Sequence, residues 1–151
     1  MIADLALLYA RDLNRTVAEI EAYRDEASLW VVGGQIANSG GNLALHLAGN
    51  LRQFVGEDLG GVPYERDRPG EFGRRNVPRA EVLAELQKAA ETVQLALAAL
   101  TDDRLDRPHP RQPPGFPEGM TSGHFLLHLY GHLNYHLGQI NYHRRLLARQ
   151  D

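Results

Sequence analysis

From Thr121 to Ala148 the chain runs without a proline, and His124, His128, His132 and His136 recur there at every fourth residue. On an α-helix, residues four apart lie on nearly the same side, offset by about 40° and one turn. At about 100° per residue, Phe125, Leu129, His132, His136, His143 and Leu147 fall within about 60° of one another. His128 lies on one margin of that sector and Ile140 on the other. The pattern predicts a long helix from the N-caps Thr121-Ser122 to about Ala148, with His132 and His136 in the middle of its buried face. An imidazole in an apolar stripe needs partners for both ring nitrogens. Two of them one turn apart can approach a common point, the HxxxH arrangement in which neutral imidazoles bind Zn, Ni, Fe or Cu. His128 is expected beside the pair, lining a groove or orienting a ligand. His124 and His109 are expected at the surface. His143 lies about two turns beyond His136, too far to share the same ion.

Three further helices are expected. Residues 2–24 carry Leu5, Leu8, Tyr9, Leu13, Thr16, Val17, Ile20 and Tyr23 at helical spacing. Residues 25–41 read as a connection whose apolar patch (Leu29, Trp30, Val31, Val32) can cap one end of a bundle. A second helix is expected from residues 38–42 to about 59, where Gly60-Gly61 and Pro63 stop it. Its face is Leu43, His46, Leu47, Asn50, Leu51 and Phe54, so two polar residues interrupt an apolar stripe. Residues 60–78 form a charged connection, long enough to be functional. The third helix, about 79–100, repeats Leu83, Leu86, Ala90, Val93, Leu97 and Leu100 in alternating steps of three and four, a coiled-coil-like seam. Residues 101–120, rich in Asp, Pro and Gly, connect it to the last helix. The expected fold is all-α: a four-helix bundle with long crossover connections, one domain over residues 1–151.

With His46 added, His132 and His136 become a facial set of three nitrogens that leaves coordination positions open, as in catalytic sites. Leucine stands where a zinc protease needs its glutamate, at Leu129 and again at Leu133, so the HExxH class is excluded. The Glu-x-x-His set of a di-iron bundle is missing too. The chain has no cysteine, which removes disulfides, thiolate ligands and a cysteine nucleophile. A formal net charge of -3 gives no basic stripe for nucleic acid, although all but one of the 16 basic residues are arginine. No run approaches the roughly 18 apolar residues of a membrane span, and Met1-Ile2-Ala3-Asp4-Leu5 lacks a signal peptide's basic start. The expectation is a soluble, cytoplasmic protein with neither nucleic-acid nor membrane partners.

Two segments resemble a known family. One is Asn38-Ser39-Gly40-Gly41-Asn42-Leu43-Ala44-Leu45-His46-Leu47-Ala48-Gly49-Asn50-Leu51. The other runs from His128-Leu129-Tyr130-Gly131-His132-Leu133-Asn134-Tyr135-His136-Leu137-Gly138-Gln139-Ile140 through Asn141-Tyr142-His143-Arg144-Arg145-Leu146-Leu147. Together with Arg66-Asp67-Arg68 and Glu71-Phe72, they resemble the DinB-like superfamily, closest to an uncharacterised branch of it. The resemblance implies a four-helix bundle, usually a homodimer, with a metal triad mapping onto His46, His132 and His136. Related members are metal-dependent transferases or isomerases using low-molecular-weight thiols; others have no known activity.

Two functional readings follow. In the first, one divalent ion (Zn, Ni or Fe) activates a thiol or water at neutral pH, making the chain a thiol S-transferase or hydrolase acting on a small molecule. A chain without cysteine must then take its thiol from a cosubstrate. Gln139 or Asn50 could orient a histidine ligand, and Arg66, Arg68, Arg144 and Arg145 could hold an anionic substrate. In the second reading, the chain is a non-enzymatic, stress-related dimeric bundle whose metal site is structural or vestigial.

Overall fold

The computed structural model describes residues 1–148. Within them the chain is all-helical, and the one extended pairing is an isolated bridge between Pro108 and Thr121. Six α-helices follow in order: α1 (Ile2–Glu21), α2 (Gly40–Leu51), α3 (Arg68–Gly73), α4 (Arg79–Ala99), α5 (Asp102–Leu105) and α6 (Ser122–Leu147). A 3-10 turn, Ala27–Trp30, follows α1, and α2 widens at its end into a π turn, Arg52–Glu57. The sequence reading expected neither short helix; α3 and α5 lie inside stretches read as connections.

The four long helices share one core. α1 and α2 each pack against both α4 and α6. α1 buries Leu5, Tyr9, Leu13, Thr16 and Ile20, as its periodicity predicts, and also Asp12. On α4 the buried row is Val82, Leu86, Ala89, Val93, Ala96 and Leu97. The expected seam is therefore rotated: Leu83, Ala90 and Leu100 sit at its half-buried edge. Each leucine fully withdrawn from water contributes about 1.5–3 kcal/mol, and Leu13, Leu47, Leu86, Leu97, Leu126 and Leu133 are all fully buried. α2 is buried over its whole length, because α3, α4 and α6 cover it from different sides. The patch after α1 divides: Leu29 and Trp30 are inside, whereas Val31 and Val32 are exposed.

Polar clasps fasten α1 to α6. The Tyr9 hydroxyl donates to Leu126 O (2.7 Å) and the Tyr130 hydroxyl to Asp12 Oδ2 (2.6 Å). The Arg11 guanidinium and the Tyr130 hydroxyl hold the Asp12 carboxyl far below the usual carboxylate range. Farther along, Arg144 Nε donates to Glu19 Oε2 (2.6 Å) and Asn141 Nδ2 to Glu19 Oε1 (2.7 Å). These ties set the rotation of α6, and with it the direction of its histidines.

Candidate metal centre

α2 supplies His46 and α6 supplies His132 and His136. His132 Nε2 lies 3.1 Å from His46 Nε2 and 3.1 Å from His136 Nε2. One ligand atom from each ring lies within 4.8 Å of the others, a group that could hold a metal ion. His46 is buried, but His132 and His136 are half-buried. The sequence expectation put them mid-face; they stand at its margin instead. The buried stripe of α6 runs through Phe125, Leu126, Leu129, Leu133, Ile140 and His143. Packing selected Leu126 and Leu133 for the core and turned the histidine row toward the edge.

The outer nitrogens decide how the inner ones behave. His46 Nδ1 lies 2.9 Å from Glu71 Oε1. Burial alone would raise the Glu71 pKa, but hydrogen bonds from Arg66 and His46 bring it below the usual value, so it is an ionised acceptor. The Glu71 contact favours a proton on His46 Nδ1 and leaves Nε2 as the nitrogen that faces the other two rings. His136 Nδ1 lies 2.7 Å from Gln139 Oε1, which can only accept, and the same conclusion holds. Burial, reinforced by the neighbouring His136 and His46, pushes His132 down to about 3. Burial also lowers His136, against the opposing Gln139 hydrogen bond. Both are neutral at pH 7, the form that ligates metal.

α3 exists to deliver Glu71. Asp67 caps it through Oδ1 to the Gly70 amide, and Pro69 stands in its first turn. Asn42 on α2 holds its far end, donating from Nδ2 to both Glu71 O and Arg74 O at 2.9 Å. Arg66 grips the carboxylate with two parallel bonds of 2.7 Å and reaches Gln53 Oε1 at 3.2 Å. This close approach requires Gly49, since a Cβ there would stand 2.2 Å from Glu71 Oε2. Phe72 packs on the His46 ring, with centroids 4.7 Å apart.

On the far side of His132 is a recess of about 100 Å³ lined by Asn50, Phe54, Pro113, Phe116, Phe125, His128, Leu129 and His132. Among the described residues, two buried polar atoms of these side chains, Asn50 Oδ1 and His132 Nδ1, have no hydrogen-bond partner.

The remaining candidates are placed as follows. Gln139 and Arg66 join the centre, Arg66 through Glu71. His128 is exposed and stacks on Phe125, rings 8° from parallel. Arg68 lies over the Phe72 ring, 5.3 Å from its centroid. Arg144 is engaged by Glu19, and Arg145 lies over Tyr142. His124 is exposed as expected. His109 is not a surface residue: it is 2% exposed, with Nε2 3.2 Å from Asp58 Oδ2. His143 is inward and outside the triad, bonded to the Tyr23 hydroxyl (2.7 Å) and Val31 O (2.9 Å). Sequence reasoning missed Glu71, Asn42 and Gly49 as parts of the site. The usable signal was chemical: a metal-ligating histidine hands its other N–H to an acceptor, and the long charged connection held the nearby acids.

An all-helical fold that brings one ligand atom from each of three imidazoles, on two helices, within 4.8 Å of one another defines a helical protein with a candidate metal centre. The sequence profile of the DinB superfamily matches residues 6–140, and the chain belongs to that superfamily. No curated protein matches it.

Proposed function

We propose that the chain is a metal-dependent enzyme in which His46, His132 and His136 hold one divalent ion and leave positions open for a small-molecule thiol or a water. The supporting observation is the convergence of three Nε2 atoms, two of them with the outer nitrogen already tied to an acceptor. The donor set fits Zn, Ni or Fe, since neutral imidazole suits all three. A bound ion supplies Lewis acidity, lowering the pKa of a thiol or water so that a nucleophile exists at neutral pH.

The chain's own residues orient and insulate. Glu71 and Gln139 fix the tautomers of His46 and His136, Arg66 balances the Glu71 charge, and Phe72 shields the His46 ring. The half-buried edges of His132 and His136 face the side from which a substrate arrives. The reaction class is thiol S-transfer or hydrolysis. The reading takes the four long helices as a four-helix bundle and the working form as a cytoplasmic homodimer. Among the described residues no helix is long and apolar enough to cross a membrane, consistent with that setting.

A structural zinc normally has four protein ligands, and the three-histidine group favours the catalytic reading over a structural ion. Elemental analysis of the purified protein beside His132→Ala tests the centre: about one equivalent of metal is expected in the first and a large loss in the second, with the fold retained. Equal metal in both, or none in either, refutes it. Thiol conjugation to a panel of electrophiles, using metal-loaded protein, tests the reaction class.

A further inference from the structure

Between α2, the last turns of α6 and residues 35–38 lies a cavity of about 420 Å³, within the range of about 300–1,000 Å³ usual for small-molecule sites. On α6 it begins at Gln139, one turn after His136, and on α2 it reaches Leu43, one turn before His46. Its walls are Ile36, Ala37, Leu43, Tyr142 and Leu146, and three of these large apolar side chains, Ile36, Tyr142 and Leu146, are left exposed to water. The polar part of the lining is made of amides, those of Gln35, Asn38 and Gln139. Among the described residues, the side chains of Gln35 and Asn38 and the Nε2 of Gln139 make no hydrogen bond. His143 also lines the cavity, but both its ring nitrogens are engaged, by the Tyr23 hydroxyl and Val31 O. No Asp, Glu, Lys or Arg lines it. The arginines suited to an anion are committed elsewhere, Arg66 to Glu71 and Arg144 to Glu19.

We propose that this cavity is the substrate subsite of the metal centre, that it takes an uncharged, largely apolar molecule bearing a carbonyl-type acceptor, and that Gln139 joins the two by holding His136 through Oε1 and the bound molecule through Nε2. The proposal rests on the metal-centre reading and names the kind of molecule that an activated thiol or water would meet there. The lining sets the class. A charged ligand would give up water for walls that offer it no counter-ion. An apolar body gains by covering Ile36, Leu43, Tyr142 and Leu146, and an acceptor oxygen on it finds an amide donor at the end of the cavity nearest the metal. A side-chain amide suits both tasks, because one planar group carries an acceptor and two donors. The Gln139 oxygen meets His136 Nδ1 at 2.7 Å, which leaves the nitrogen for the ligand. Fixing the amide at either end favours the other, so metal and ligand support each other's binding. The recess on the far side of His132, about 100 Å³, has much less room for such a molecule.

The test titrates benzophenone, a neutral diaryl ketone, into Zn²⁺-loaded and Co²⁺-loaded protein and follows backbone amide NMR signals. Binding is expected to shift the amides of residues 35–38, Gln139, Tyr142 and Leu146. Diphenylmethane, which lacks the carbonyl, and 4-benzoylbenzoate, which adds a charge, are each expected to bind about threefold or more weakly by comparison. Paramagnetic Co²⁺ should broaden the proton lines of bound benzophenone, and Zn²⁺ should not. Leu146→Glu places a charge at the exposed rim and is expected to abolish benzophenone binding, with Zn²⁺ titration of the same variant reporting an intact centre. Gln139→Glu keeps an acceptor for His136 but loses the donor, so benzophenone affinity should fall about threefold to tenfold while Zn²⁺ affinity is held; Gln139→Leu should weaken both. A Gln139 that only packs would not separate the two ligands in this way. No benzophenone binding to the Zn²⁺-loaded protein, shifts confined to other residues, equal affinity for the three probes, no broadening by Co²⁺, or a cavity closed to the probe because a second copy covers it overturns the proposal and leaves the metal-centre reading standing. No Zn²⁺ binding by the wild type overturns both.

Discussion

Gly49→Ala sets two effects of opposite sign against each other. In a helix interior, replacing glycine by alanine ordinarily stabilises by about 0.5–1 kcal/mol, because the backbone loses less freedom on folding. Here the new methyl would stand 2.2 Å from Glu71 Oε2, 2.8 Å from Cδ and 3.4 Å from Cγ. The carboxylate cannot move aside cheaply. Arg66 grips both oxygens, His46 meets one of them, and Asn42 holds the main chain of α3. Displacing it leaves a buried guanidinium and an imidazole N–H without their partner, and breaking a buried pair typically costs about 3–5 kcal/mol. The net expectation is a loss of about 2–4 kcal/mol. At about 2–4 °C per kcal/mol for a chain of this size, the melting temperature falls by about 5 °C or more. Urea unfolding of the metal-free protein measures the stability loss, and a Zn²⁺ titration should show affinity reduced about 10–100-fold through the disturbed His46 partner. A variant as stable as the wild type or more so, with unchanged Zn²⁺ affinity, would refute the placement of Glu71 and its role as the anchor of His46.

Tyr23→Phe removes a buried hydroxyl that meets His143 Nδ1 at 2.7 Å and Ile140 O at 3.3 Å; a loss of about 1–2 kcal/mol in urea unfolding is expected, with Zn²⁺ affinity unchanged. The acid limb of stability should report the clasp at Glu19, where burial alone would raise the pKa but the Arg144 and Asn141 hydrogen bonds bring it below 4.5. The folded pKa lies below the unfolded one, so this contribution is complete above about pH 4.5 and disappears as the pH falls through the folded value. Glu19→Gln should therefore be less stable at pH 7 and show a shallower decline below about pH 4.5 in unfolding curves collected across pH.

How much the sequence disclosed depended on the length over which its signal was written. α1, α4 and α6 each span several turns, and their periodic apolar residues located them to within a few positions. The phase was less legible. On α6 two overlapping rows satisfy helical spacing, one through Leu126 and Leu133 and one through His132 and His136. Only packing against α1 and α2 decides that the first is buried and the second lies at the edge. α3 has six residues, too few to display a period, so its carboxylate stayed hidden among the charges of a connection. His109 was misread because the reason for its burial, Asp58 at the end of the π turn, is 51 residues away in sequence. Proximity of His46 to the α6 pair was an inference from spacing and resemblance, and the fold brings the three together across an 86-residue separation.

The six-residue α3 has a further consequence. A helix that short has no stability of its own in water. Its order is lent by Asn42, whose amide nitrogen holds Glu71 O and Arg74 O while its oxygen takes bonds from Ser39 Oγ and Arg75 Nη1. Asn42 sits in the first turn of α2, where Ser39 is the cap. Fraying of that single turn would take away the Asn42 bonds to Glu71 O and Arg74 O and leave Glu71 held by its side-chain bonds to Arg66 and His46 alone. Asn42 thus couples the first turn of α2 to α3, so an opening of that turn would be felt at the Glu71 contact that orients His46.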